Sequence, residues 1–126
     1  MSKIIGIDVG LSKTGVAIAE GMLAVPHSVI HEKDLNRLVI QIQKLAVKED
    51  AQKVVIGIPE GELVTYVNAL GESLIDLGID VEFHDETLST HDAQALAIEA
   101  GMPQGKRNQL EDAMAASVML QSYLTG

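Results

Sequence analysis

Residues 4–20 read IIGIDVGLSKTGVAIAE. The isoleucine-rich run from Lys3 to Asp8 has strand composition, and so does Thr14 to Ala19. Val9-Gly10-Leu11-Ser12-Lys13 between them reads as a turn. So short a gap favours an antiparallel hairpin over a crossover. One acid, Asp8, therefore ends an apolar strand, with Gly10 and Gly15 close behind it. Aspartate is common at such ends because it caps turns. The glycines also bracket a turn whose backbone amides can approach a phosphate. Asp8 has to be weighed with what lies around it.

Reading outward, Leu23 to His31 is a third strand, in which Pro26 predicts an edge position or a bulge. The period then changes. Leu35, Leu38, Val39, Ile42, Leu45 and Ala46 follow the spacing of an amphipathic helix, with Asp34 as N-cap. KVVIGIP, 53–59, is a short buried strand closed by Gly and Pro. Val64 to Leu77 is a second helix, stopped by Gly78. IDVEFHDE, 79–86, is a fifth strand, alternating Val81 and Phe83 with Glu82 and His84. Ser89 and Asp92 resemble a capping box that opens a third helix ending near Gly101. A fourth helix runs from about Asn108 to Leu124. This order, βββαβαβαα, predicts one α/β domain over residues 1–126. Its mixed five-stranded sheet has three antiparallel strands, then alternating helices and parallel strands, with helices on both faces. Sites in such sheets collect at the carboxyl ends of the strands, where Asp8 and Glu86 lie and just past which Pro59-Glu60 falls.

The chain has 126 residues, is 47% hydrophobic and contains no cysteine. This suits one globular domain and excludes disulfides and thiolate metal sites. No apolar run approaches the roughly 20 residues of a membrane span, and the N-terminus lacks a signal-peptide pattern, so a cytoplasmic protein is expected. The net charge of −9 argues against sequence-blind attraction to phosphate, though not against a local basic patch. Three aromatic residues, Tyr66, Phe83 and Tyr123, leave little for base stacking.

Two further acids accompany Asp8. In HDETLST, Asp85 and Glu86 are adjacent and point to opposite faces of a strand, so at most one need serve a site while the other caps the following turn. In LEDAMAASVMLQSYL, Asp112 heads an apolar stripe of Ala115, Ala116, Met119 and Leu120, and the alanines allow the helix to lie close to the sheet. Glu111 competes for the same role, and Glu60 or Glu62 is a further candidate. Acids from the first strand, the last strand and the final helix converge in this topology. Clustered carboxylates repel unless cations neutralise them. Oxygen-only ligands suit Mg²⁺ or Mn²⁺. Two such ions, about 4 Å apart, can activate a water and stabilise the leaving oxygen of a phosphodiester.

IIGIDVGLSKTGVAIAE, VVIGIP, VEFHDETLST and LEDAMAASVMLQSYL resemble, in order, the motifs of the YqgF/RuvX family. These are small RNase H-like proteins described as Holliday-junction resolvases and as nucleases that mature the 5′ end of 16S ribosomal RNA. The resemblance implies an RNase H-like fold and metal-dependent phosphodiester hydrolysis on pre-rRNA or branched DNA. By motif it assigns Asp8, Glu86 and Asp112 as the catalytic and metal-holding acids. The sequence departs from the family pattern at three places. Val9 stands where the family has proline, Thr87 where it has arginine, and the loop after GIP lacks the family's D-G-S element.

Gly10, Lys13, Lys106 and Arg107 flank these acids and are candidates for substrate phosphates. Lys33, Arg37, Lys44 and Lys48 fall near one face of the first helix, a pattern that usually marks a solvated face. His84 lies nearest the acids, at a polar strand position. Two other classes remain open. One is a catalytically degraded relative that binds an RNA or protein partner. The other is an actin-like or kinase-type phosphate binder, for which the chain has little room. A monomer or weak homodimer is expected, with no membrane partner.

Overall fold

A computed structural model of the chain describes residues 2–59, 61–85 and 104–125, with the backbone alone for residue 85 and residues 104–110. Five strands form one sheet: β1 (Lys3–Val9), β2 (Lys13–Glu20), β3 (Leu23–His31), β4 (Ala51–Ile58) and β5 (Val81–Asp85). Their order is β3-β2-β1-β4-β5. β1 pairs antiparallel with β2, and β2 with β3. β4 lies parallel to both β1 and β5. The expected mixed sheet is thus found. The first strand runs one residue further than expected, so Asp8 is its penultimate residue. The third predicted helix and Glu60 lie outside the described residues.

Alternation along the strands divides the core in two. Ile5, Ile7, Val9, Val16, Ile18, Val54 and Ile56 face one way, against α1 (Leu35–Lys48) and α2 (Leu63–Asp76). Asp34 caps α1 as expected, its carboxylate accepting from the Arg37 amide at 2.9 Å. The buried stripe Leu38, Val39, Ile42 and Ala46 then follows from the helical period. Each fully buried Leu or Ile of this layer contributes about 1.5–3 kcal/mol. Gly78, at φ +86°, ends α2 in the backbone region that glycine adopts without strain.

The other face carries α3 (Gln104–Thr125), which starts four residues before the expected Asn108. Its Ala116, Met119 and Leu120 pack on Ala17, Ala19 and Val55. Glycines set its distance from the sheet. A Cβ on Gly6 would come within 2.8 Å of the Leu120 Cβ, and one on Gly15 would run into the Asp112 carbonyl oxygen. α3 therefore lies on bare backbone at both places.

Polar ties hold its C-terminal half. Gln121 accepts from the Ala24 amide and donates to the Met22 carbonyl, both at 2.9 Å. The Tyr123 hydroxyl donates to Glu82, and Lys53 Nζ reaches the same carboxylate at 3.1 Å. At the sheet's outer edge, β3 carries the predicted irregularity. Val16 pairs with Ser28 but Ala17 with Pro26, so His27 is bulged out.

Candidate active site

The register places Asp8 directly opposite Gly15. Opposed residues of an antiparallel pair point their Cβ directions to the same face. A Cβ on Gly15 would point into the Asp112 backbone, so the Asp8 side chain also issues on the α3 face. Asp8 and Asp112 thus flank a single glycine, at the carboxyl end of β1. Both are half-buried. Gly15 lies in β2, within the strand expected from Thr14 to Ala19, and its role is to admit the helix that carries Asp112. Nothing local in the sequence marks that contact, because its two sides lie almost the whole chain apart.

Glu111 is half-buried as well. With Asp112 it lines an open cleft of about 430 Å³, closed on the other sides by the 10–13 turn and Leu63 at the start of α2. Glu62, the other candidate from the loop after β4, is exposed and precedes α2. The Gly10 amide donates to the Lys13 carbonyl at 2.9 Å. That bond closes the hairpin turn and takes up the amide that was expected to be available to a phosphate. Lys13 itself is exposed and lines the cleft.

Glu86 lies outside the described residues, directly after β5. On β5, Glu82 and His84 face α3, where His84 Nε2 lies 3.2 Å from Ser122 Oγ and its ring meets Tyr123 edge-on at 5.8 Å. Phe83 faces the opposite side, under Gly71 of α2. Lys106 and Arg107 fall in the first turn of α3, roughly 7 to 9 Å along the helix axis from Asp112. Among the described residues, no three His, Asp or Glu side chains form a group that could hold a metal ion.

The Glu82 cluster was not foreseen from sequence. The Tyr123 hydroxyl, and then Lys53, hold the Glu82 carboxyl below its ordinary value. Lys53 is pushed up, chiefly by Glu82. Tyr123 is pushed up by its hydrogen bond to Glu82 and by burial. The cluster secures the end of α3 remote from Asp112.

A sheet with two hairpin connections and two parallel crossovers is shared with known proteins. The family model described as "RuvX: Holliday junction resolvase" matches residues 2–126. The chain belongs to the RuvX family. A relative from Syntrophomonas wolfei is 32% identical, over 98% of this chain and 94% of its own length. One from Syntrophus aciditrophicus is 34% identical, over 97% and 87%. Both carry the name "Putative pre-16S rRNA nuclease". Among solved structures, this RuvX chain resembles Thermus thermophilus RuvC in complex with a Holliday junction substrate. The TM-score is 0.62 at 14% identity, covering 100% of this chain and 97% of that one. It also resembles the Fowlpox virus resolvase in complex with Holliday junction DNA, with TM-score 0.67 at 10% identity, covering 98% and 97%. At such identities the likeness is one of fold, and the fold is RNase H-like. By family, this RuvX protein is a nuclease that hydrolyses phosphodiester bonds. No described helix is long and apolar enough to cross a membrane.

Proposed function

We propose that this RuvX protein cuts a phosphodiester of structured RNA, at the 5′ side of precursor 16S rRNA, in a divalent-metal-dependent reaction. The observation that carries the reading is that the Asp112 backbone abuts Gly15, the cross-strand partner of Asp8, at the sheet's carboxyl edge. The name of the relatives at about one-third identity supports the choice of RNA. The family description supports branched DNA as a second reading.

The residues present fit a hard cation. Asp8 and Asp112 are half-buried oxygen donors carried on neighbouring backbone, and the chain has no cysteine to favour a softer metal. Asp8 and Asp112 would hold Mg²⁺ or Mn²⁺, with Glu86 as the third acid that the family motif assigns. When bound, the metal supplies an activated water and neutralises the leaving oxygen. Asp8 sits on a paired strand and Asp112 on a helix fixed by glycine contacts, so both carboxylates are held by rigid elements. Lys13, on the cleft wall, holds a phosphate next to the cut one. Lys106 and Arg107 contribute cations from the start of α3.

Cleavage of a precursor 16S rRNA fragment and of a four-way DNA junction, with Mn²⁺ and with EDTA, tests the reading. The rRNA fragment should be cut, in Mn²⁺ only. Asp8→Asn and Asp112→Asn should each lose more than about 100-fold, the upper end seen for residues that merely support metal ligands. Cutting of the junction alone would favour the second reading. No cutting of either, with intact binding, would leave a partner-binding relative. Undiminished cutting by Asp8→Asn would remove the assignment.

A further inference from the structure

The sequence groups Lys33 with the basic face of the first helix, but α1 begins at Leu35 and Lys33 precedes it. Lys33 lines instead a second open cleft of about 360 Å³, together with Ser12, Lys13, His31 and Glu32. Ser12 and Lys13 also line the cleft of Glu111 and Asp112. The two clefts therefore adjoin at Ser12 and Lys13.

The register gives the path a direction. Lys13 lies two residues before Gly15 on β2 and opposite His31 on β3. Both share the parity of Gly15 and so the α3 face, the face on which Asp8 issues. From the candidate site outward the order is Asp8, Lys13, His31, Lys33, across the carboxyl edge toward the outer strand.

Lys13, His31 and Lys33 are all exposed, and none makes an ion pair or a side-chain hydrogen bond with another described residue. The nearby acids are occupied. Glu32 accepts from Gln41 Nε2 at 3.0 Å and from the Asp34 amide at 3.3 Å, and Asp34 caps α1. In a chain of net charge −9, two lysines and a histidine with no side-chain partner among the described residues, leading out of the acid cleft, suit an anionic occupant.

We infer that the sugar-phosphate backbone of the substrate leaves the candidate site over the ends of β2 and β3, its phosphates held by Lys13, His31 and Lys33. The inference rests on the nuclease reading and adds the side on which the substrate extends. The register favours it: Lys13 and His31 are directly opposed cross-strand partners, with Cα atoms about 4.5–5.5 Å apart, so both side chains can reach the phosphates of one strand.

The test is titration of a fluorescein-labelled single-stranded RNA and the same sequence as DNA. Wild type, Lys33→Ala, His31→Ala and the helix-face control Lys44→Ala are compared at several salt concentrations, with Ca²⁺ replacing the catalytic metal. Lys33→Ala is expected to weaken binding severalfold and to lower the slope of log K against log salt by about 0.7, one single-strand phosphate contact. His31→Ala should weaken binding in the same direction, and Lys44→Ala should change neither quantity. Tighter binding of RNA than DNA would identify the source of the phosphates; equal binding would mean backbone recognition alone. Both results support the path. An unchanged slope in Lys33→Ala and His31→Ala, with wild type binding and cutting normally, overturns the path and leaves the nuclease reading standing. An equal loss in Lys44→Ala overturns it too, since the effect would be one of total charge. Absence of binding by wild type to either strand would remove the nuclease reading and the path together.

Discussion

Thr14 sits next to the candidate site but faces away from it. It is fully buried, and its hydroxyl has no hydrogen-bond partner among the described residues. It pairs with Val9, on the α1 and α2 side of the sheet. A buried hydroxyl without a partner costs about 1–3 kcal/mol. Thr14→Val keeps the shape and removes the orphan, so it should raise the denaturant midpoint by an amount equivalent to about 1 kcal/mol while leaving cleavage intact. A lowered midpoint in urea titrations would mean that the hydroxyl is satisfied in solution. Glu82 makes the opposite kind of prediction. Its folded pKa lies below its unfolded one, because Tyr123 and Lys53 stabilise the carboxylate. Its contribution is therefore present above the unfolded pKa, about 4.3, and is lost as pH falls through the folded value. The melting temperature of wild type should exceed that of Glu82→Gln near neutrality, and the gap should close on acidification below about pH 4. A gap independent of pH would show that packing, not charge, holds this end of α3.

At the scale of elements, the contact between α3 and β2 sets the geometry of the acids. Gly15→Ala would drive a methyl into the Asp112 backbone, which cannot rotate away. Gly71→Ala would first meet the far end of the Phe83 ring, a side chain that is 37% exposed. Overpacking costs about 1–3 kcal/mol. Gly15→Ala should fall at or above the top of that range and abolish cutting. Gly71→Ala should fall near its bottom and retain cutting. Thermal melts and cleavage assays on both variants would show the ranking, and equal effects would mean that α3 can shift without penalty. Ala116→Leu, fully buried on the same helix, should cost a similar 1–3 kcal/mol and reduce activity by moving Asp112.

The elements themselves were largely legible in the sequence. A period of two gave way to a period of 3.6 at Asp34, and back again, so strands and helices separated cleanly. The start of α3 was placed near Asn108 because asparagine favours helix openings, whereas the helix begins four residues earlier, at Gln104. Asp8 and Asp112 were singled out because one ends an apolar strand and the other heads an apolar helix stripe. The true neighbours of Lys33 were not, because they depend on which strand lies beside which. The same holds for Glu82, Tyr123 and Lys53, whose sequence separations hide a shared carboxylate.

Across the whole molecule, charge is unevenly distributed. A chain of net charge −9 gathers acids at one edge of the sheet and sets Lys13, His31 and Lys33 beside them. The sheet also ends in β3, where Leu23 and Val25 are exposed. An outermost strand is a template on which a second chain can polymerise. Pro26 lacks an amide hydrogen and the bulge at His27 breaks the spacing, so β3 cannot propagate a cross-β stack. In Pro26→Val the segment would read LAVVHSVIH, an uncharged, β-branched run of the kind that nucleates amyloid. On prolonged warming below its melting temperature, that variant should form fibres that bind thioflavin, while wild type stays clear. One ring in the outermost strand would then separate a dispersed enzyme from a fibrous one.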